Sequence, residues 1–522
     1  MVVGLTLAVT QDAIQAEASD PAPEAALPAP EKELPPGRVG RVSLVSGNAD
    51  VRTSRETGWA DAVLNQPVFT GEALRTDLRA RAEIQIGANT IDMPASTEIE
   101  ITSLNDQFNQ LALSRGRIYL HLRPVGDGET VEIDTPQGGL WLLGPGRYDV
   151  DAGDGDRPPQ IAVFQGTAQF VGSGGDTLIE AGQTAVLTVS DNEAASTEPT
   201  TADDFVEWCK GRDYDETPLV APYHIAKYMT GFAELDAAGI WKINANYGPV
   251  WFPTDQEWSP YRFGHWSWMA PWGWTWIDDR PWGFAPSHYG RWAMIDEHWA
   301  WVPGDFVAHP LFAPAVVAFL GTPGIGLSSE DGAAVAWFPL APGEEYWPTY
   351  TRDVGYVKSL NVGNVRNVDV IGMQADGEPP LEVFHKDFAN RQLASVVPRS
   401  VFVNGRPIAP ARMTLPEQRL RNAPVLMGSP QIAPPSTQQV AHAAVPAVKA
   451  PSTRVVIGAP RKGTAKIIRA ASIKPRGHEP PVVIRGAHLH VPSYAGQAHG
   501  RQTTVVRVAY SPRVGAGKGA RH

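Results

Sequence analysis

Residues 261–304 read YRFGHWSWMAPWGWTWIDDRPWGFAPSHYGRWAMIDEHWAWVPG and hold more than half of the chain's 17 tryptophans. Either these rings line a surface that grips a ligand, or they form a core built from large side chains. The register decides how the block is read. GIWKINANYGPVWFP starts at Gly239, GHWSWMAPWGWTWID at Gly264 and GRWAMIDEHWAWVPG at Gly290. The opening tryptophans are Trp241, Trp266 and Trp292, the closing ones Trp251, Trp276 and Trp301, and AVAWFPLAPG repeats the closing half at Trp337. A fixed period of about 25 residues marks a repeat architecture, each unit one supersecondary element. Gly-x-Trp, a turn of polar or Pro/Gly residues, then Trp-x-Trp predicts a β-hairpin. A lone hairpin is marginal in water, so three or four stacked edge to edge are expected to bury a shared aromatic face. Five aromatics exceed the hairpin formula: Tyr247, Trp268, Trp272, Trp282 and Tyr289. They are the candidate ligand-binding surface.

Upstream, from Gly37 to about residue 190, the pattern changes to period two. Ala82, Ile84 and Ile86 alternate with Arg81, Glu83 and Gln85; Ile99 and Ile101 alternate with glutamates; Leu111 and Leu113, Ile118 to Leu122, and Val131 and Ile133 continue the pattern. Short alternating runs separated by Gly, Pro, Asn and Asp predict antiparallel strands with one face buried, closed as a sandwich or roll. The whole chain is therefore expected to be mostly β: an antiparallel β-sandwich or roll, a Trp-rich hairpin repeat module and a disordered C-terminal tail. The 50 Gly and 47 Pro, about one residue in five, agree with short strands and many turns.

The order GRVGRVSLVSGNADV, GWADAVLNQPVFTGEALRT, AEIQIGANTIDM, ALSRGRIYLHL, VEIDTPQGG and AVFQGTAQF resembles the FecR protein domain. Trp59, Gly71-Glu72, Thr76, Thr135-Pro136, Gly138 and Gly182-Gln183 carry the resemblance over about 150 residues. The best-known FecR proteins relay signals to a sigma factor and carry a cytoplasmic segment and a membrane helix ahead of this domain. Neither is read here, so sigma regulation is not expected. The tryptophan block, with VAWFPLAPGEEYWPTY and FANRQLASVVPRSVFVNGRPI, resembles a proteobacterial family of unknown function whose YGRW/WVPG block follows a FecR-like domain. That resemblance spans Phe205 to Ile408 and implies exported envelope proteins with no established activity.

The remaining segments complete the expected organisation. Residues 1–18 combine an apolar run, Met1 to Val9, with Ala16-Glu17-Ala18 and read as a truncated signal peptide. Residues 19–36 are a Pro/Ala/Glu-rich linker, 37–190 the FecR-like domain, and 191–217 a linker holding a short helix. In that helix Thr201 is the expected cap, with Asp204 three residues on, and Phe205 and Trp208 share a face beside a half-buried Cys209. Residues 218–408 form the repeat module, with a strand expected around Val362 to Val370, and 409–522 the tail. From Arg406 onward the chain has 18 Lys and Arg against 2 Asp and Glu, a balance of +16, so the remainder carries −28 of the total −12. Such a basic extension binds anionic polymer or folds back on its acidic body.

No apolar run of about 18 residues is found, so no membrane-spanning helix is expected. The single cysteine allows no internal disulfide. The sequence contains no Gly-x-Ser-x-Gly, His-Glu-x-x-His, Walker or Cys-x-x-Cys motif. Asp278-Asp279 and Asp296-Glu297-His298 are expected in solvated turns, and His265, His288, His298 and His309 lack metal-ligand spacing. No catalytic residue, metal site or cofactor is assigned. The expected function is that of a non-enzymatic, exported scaffold or binding protein in the periplasm or at the outer membrane. Its partners would be peptidoglycan, lipopolysaccharide, another anionic envelope polymer or envelope proteins, and not nucleic acid. The alternative is a cell-wall carbohydrate-binding or carbohydrate-active protein working through exposed tryptophans.

Overall fold

The structure is a computed structural model. It describes residues 34–434 except 54–57, 125–128, 155, 173–174, 188–193, 214–219, 222–223, 330–331, 367, 369–381 and 384–386. The signal-like segment, most of the following linker and the basic stretch beyond 434 lie outside the described residues. The chain divides into two compact units, Met1–Pro446 and Ala447–His522, and every described residue belongs to the first.

The N-terminal region is a β-sandwich of two nine-stranded sheets. The first sheet contains Gly40–Ser46, Arg81–Ile86, Asn89–Met93, Arg117–Leu122, Gly146–Asp151 and Gln160–Gln165; the second contains Ala73–Thr76, Glu98–Leu104, Phe108–Arg115, Thr130–Thr135, Gly138–Leu142 and Thr167–Gly172. Alternation does what the sequence implies on the inner faces. Val42, Ile84, Ile91, Leu120 and Val150 of one sheet meet Ile99, Leu111, Ile133, Leu140 and Phe170 of the other in one core. Two expectations change. Thr130–Thr135 pairs with Phe108–Arg115 in parallel, because the chain crosses from the first sheet to re-enter the second. The outer face of the first sheet is also covered, so the polar half of its alternation is buried: Arg41, Glu83, Gln85 and Asp92 are each no more than 2% exposed.

One cover on that face is the helix Asp204–Arg212. Its cap is Asp203 rather than Thr201: Asp203 Oδ1 accepts hydrogen bonds from the Phe205 and Val206 amides at 3.1 and 3.0 Å. Phe205 and Trp208 stack with ring centroids 6.1 Å apart. Cys209 is fully buried against Tyr119, because the apolar face of the helix lies on the sheet. Ion pairs hold the helix down, Arg212–Glu83 at 2.7 Å and Arg147–Asp213 at 3.0 Å.

The tryptophan repeats form hairpins in the expected register. Trp241 pairs directly with Trp251, Trp266 with Trp276, and Trp292 with Trp301. The opening glycine of each unit has a steric reason. A Cβ on Gly239 would lie 2.2 Å from the Trp251 ring, one on Gly264 2.7 Å from the Trp276 ring, and one on Gly290 2.5 Å from Trp301 Nε1. The closing indole of each hairpin thus lies across the backbone of its own first residue. The stacking differs from the expected edge-to-edge array. The first and third hairpins share a four-stranded sheet through Trp251 opposite Trp301, while the second is a separate two-stranded sheet. Trp337 sits in the strand Gly332–Pro339 of a six-stranded sheet.

The module also runs beyond Ile408. Val425–Met427 pairs with Val317–Leu320, and the Ile432 carbonyl accepts the Trp274 Nε1 hydrogen bond at 2.9 Å. A chain cut at Ile408 would leave that indole donor buried without its acceptor, so the fold continues past the point where the composition turns basic. The strand expected around Val362 to Val370 does not form at its start: residues 362–366 are turn and loop that follow the helix Val354–Asn361, which Asp353 caps. Val370 lies outside the described residues.

Candidate functional site

The five aromatics proposed as a binding surface do not come together. Trp272, Trp282 and Tyr289 are buried in the aromatic core. Trp272 meets Phe69 of the sandwich with centroids 4.7 Å apart, Trp282 packs on Trp251 and Trp258, and Tyr289 packs on Phe312. They are removed from the candidate surface because their faces contact other rings. Trp268 and Tyr247 remain exposed, at 44% and 39%, on different hairpins. Eleven of the 17 tryptophans are buried, so these indoles serve mainly as core.

The titratable residues singled out in the sequence have structural environments. Asp296 and Glu297 form the exposed turn of the third hairpin, with φ of 50° and 65°. Asp278, expected in a solvated turn, is 1% exposed: its Oδ2 accepts from Trp276 Nε1 at 3.1 Å and its Oδ1 from the Arg280 amide at 2.9 Å. His288 is buried against Phe284 and Phe312, with Nδ1 2.8 Å from the Ala313 carbonyl. Among the described residues no group of three or more His, Cys, Asp or Glu side chains is arranged to hold a metal.

Burial pushes the Asp278 carboxyl up to about 7 and the His288 imidazole down to about 3. Their effects on stability run in opposite directions. The folded state keeps the Asp278 proton that the unfolded state has lost above 3.8, so the cost of this group is relieved as pH falls through 7. Unfolded His288 binds a proton below 6.5 and the folded residue does not, so its contribution is lost as pH falls below 6.5 toward 3. Asp278→Asn leaves the histidine uncompensated. Between pH 7 and pH 5 this variant should lose about 2 kcal/mol more stability than the parent, read from urea melts at each pH. Parallel pH curves would show that Asp278 is charged in the fold throughout.

The side chains best placed to meet a ligand lie on the outer face of the second sheet. Register aligns Gln110, Glu132, Trp141, Gln169 and Leu178 directly across five strands. The next row is Ala112, Asp134, Gly139, Val171 and Asp176. Their neighbours Leu111, Ile133, Leu140 and Phe170 point into the core, which fixes this row outward. Gln110 Nε2 donates to Asp134 Oδ2 at 2.7 Å and to Glu132 Oε2 at 3.3 Å. The Trp141 ring is half-buried beside Phe108, with centroids 6.2 Å apart. A Cβ on Gly139 would stand 3.0 Å from Glu132 Oε1 and 3.9 Å from Trp141 Nε1, so glycine keeps the floor of the row low. Burial, then the Asp134 charge, pushes Glu132 up to about 7.

The sequence reading missed this row. VEIDTPQGGLWL shows Glu132 and Trp141 alternating with core residues, which places them outward. Only the parallel pairing with Phe108–Arg115 brings Gln110 beside Glu132, and that pairing spans more than 20 residues.

Residues 232–344 match the model of a family of unknown function, DUF6600. The match takes in all three hairpins and Trp337. No curated protein matches the chain. Two crystal structures of a candidate anti-sigma factor from Parabacteroides distasonis ATCC 8503, at 1.65 and 2.50 Å resolution, are similar in part. Each has a TM-score of 0.24, with 12% and 13% identity over 27% of this chain. The matches cover 65% and 64% of those chains, a little under two thirds of their length.

Proposed function

We propose that the protein is a non-enzymatic binding scaffold of the bacterial envelope, exported to the periplasm or outer membrane, with a FecR-like sandwich fused to the Trp-rich module. The observation that carries this reading is the seam between the two. Arg41, on the sandwich strand Gly40–Ser46, donates to Gln85 Oε1 at 2.8 Å, to Asn65 Oδ1 at 2.6 Å and to the Pro281 carbonyl at 2.6 Å, and pairs with Glu234. Asn65 Nδ2 donates in turn to the Asp278 and Arg280 carbonyls. Thr230 Oγ1 bridges the Val39 carbonyl and the Gly87 amide. The two modules therefore form one compact unit, joined at the seam by buried polar and charged groups. Such a unit presents the surfaces of both modules together, which suits a scaffold.

Export rests on the Met1–Ala18 segment and on the envelope proteins that the sequence resembles. The +16 stretch from Arg406 onward is suited to anionic envelope polymer. Among the described residues no helix is long and apolar enough to cross a membrane. Cells expressing the gene from an upstream start should hold the protein in the periplasmic or outer-membrane fraction. Purified sacculi or lipopolysaccharide should retain the full chain at low salt and release it at about 0.5–1 M, where screening is strong. A chain ending at Pro434 should be retained less. Recovery only in the cytosol would exclude the envelope role, and equal retention of the shortened chain would exclude the basic stretch as the contact.

A further inference from the structure

We infer that the outer face of the second sandwich sheet binds a gluco-configured glycan, with Trp141 as the stacking platform and Glu132, Asp134, Gln110 and Gln169 bonding its hydroxyls. The inference rests on reading the chain as a binding protein, and it assigns that protein a site and a ligand class.

The order of side chains along the row carries the argument. Amide, carboxylate, indole, amide and leucine follow one another on five adjacent strands. A gluco-configured sugar presents axial C–H bonds on its two faces and hydroxyls around its rim. The indole matches the face, and the carboxylates and amides match the rim. Leu178 and Val171, 54% and 37% exposed, continue the apolar contact past Trp141. Four inter-strand spacings of about 4.8 Å make the row about 19 Å long, the length of a short oligosaccharide. The floor is shaped for close approach, since any side chain at position 139 would fill the space between Glu132 Oε1 and the Trp141 indole.

Charge selects among ligand classes. The paired carboxylates Glu132 and Asp134, joined through Gln110 Nε2, repel phosphate backbones. A cationic peptide could pair with the carboxylates and place a cation on the indole face, so hexalysine is the competing ligand in the test. Glycan hydroxyls act as both donors and acceptors and satisfy the whole row. A Glu132 carboxyl held near 7 can itself donate or accept a hydrogen bond at neutral pH.

Isothermal titration of the full chain with chitohexaose, cellohexaose and hexalysine tests the site. Binding of at least one glycan is expected. Trp141→Ala should weaken it about tenfold or more, equivalent to about 1.4 kcal/mol. Glu132→Gln, which keeps the side-chain shape, should weaken it several-fold, and Trp268→Ala should leave it unchanged. Thermal melts accompany each variant. Should Trp141→Ala melt early, Glu132→Gln and Gln169→Ala carry the test. Failure to bind either glycan, binding indifferent to both Trp141 and Glu132, or binding of hexalysine alone overturns the inference. Retention on sacculi without Trp141-dependent glycan binding would sink the glycan row and leave the envelope reading standing. Trp141-dependent binding by a protein found only in the cytosol would do the reverse.

Discussion

Trp276→Ala is expected to cost the folded chain about 3–5 kcal/mol, the range for deleting a large buried aromatic. Trp276 is fully buried and lies at the centre of the aromatic core, with ring centroids 5.5 Å from Trp266, 5.7 Å from Tyr261 and 6.5 Å from Trp337. These are mostly edge-on contacts, which add to the effect of area burial. Two further losses push the cost toward the top of the range. Asp278 Oδ2 loses its indole donor while remaining buried, and the bare backbone of Gly264 loses the ring that covers it. The neighbouring sheets cannot close over the gap freely, because the Trp276 amide is tied to the Pro314 carbonyl. Urea melts of the full chain measure the effect. The isolated module is unsuitable, since its core continues into the sandwich through Val39, Phe69 and Ala88. A change under about 1 kcal/mol would mean that the core collapses onto the vacancy, and the closing tryptophans would not be the equivalent supports that the repeat implies.

Arg41→Met should also cost about 3–5 kcal/mol, for a different reason. Its guanidinium is completely buried, and removing it takes away the positive charge that faces Glu234 in a largely buried ion pair. Methionine fills much of the volume but offers nothing to Asn65 Oδ1, Gln85 Oε1 or the Pro281 carbonyl. The loss falls on the seam, so cooperativity should change along with stability. The parent is expected to melt in one transition. The variant should melt in two calorimetric transitions, with the sandwich separating from the module. Coincident transitions at unchanged stability would show that the apolar contact of Phe69 with Trp272 joins the modules without help from Arg41.

The two parts of the molecule were legible in the sequence to different degrees. Period-two alternation identified the sandwich strands and their inward residues. Alternation reports only which side chains share a face, and it does not say whether the other face meets water. Glu83, Gln85 and Asp92 look solvated in sequence and are buried, because a helix and the tryptophan module cover their sheet. The repeat period near 25 placed every closing tryptophan opposite its opening partner. It also marked the glycines, since Gly239, Gly264 and Gly290 lie where a closing indole crosses the backbone.

What the sequence determined by itself was therefore local: which side chains share a strand face, hairpin register, the turn at Asp296-Glu297 and the shared face of Phe205 and Trp208. These depend on residues within one hairpin or one helical turn of each other, and near neighbours fix them. The tertiary structure decided which surplus rings are core, which strands are neighbours and that the fold continues past Ile408. Trp272 is buried because Phe69 meets it from about 200 residues away. Trp274 requires the Ile432 carbonyl, beyond the point where the composition turns basic. Gln110 meets Glu132 only through a parallel pairing that a crossover creates. Each of these depends on chain segments far apart in sequence, whose proximity is set by burying one continuous core rather than by any local pattern.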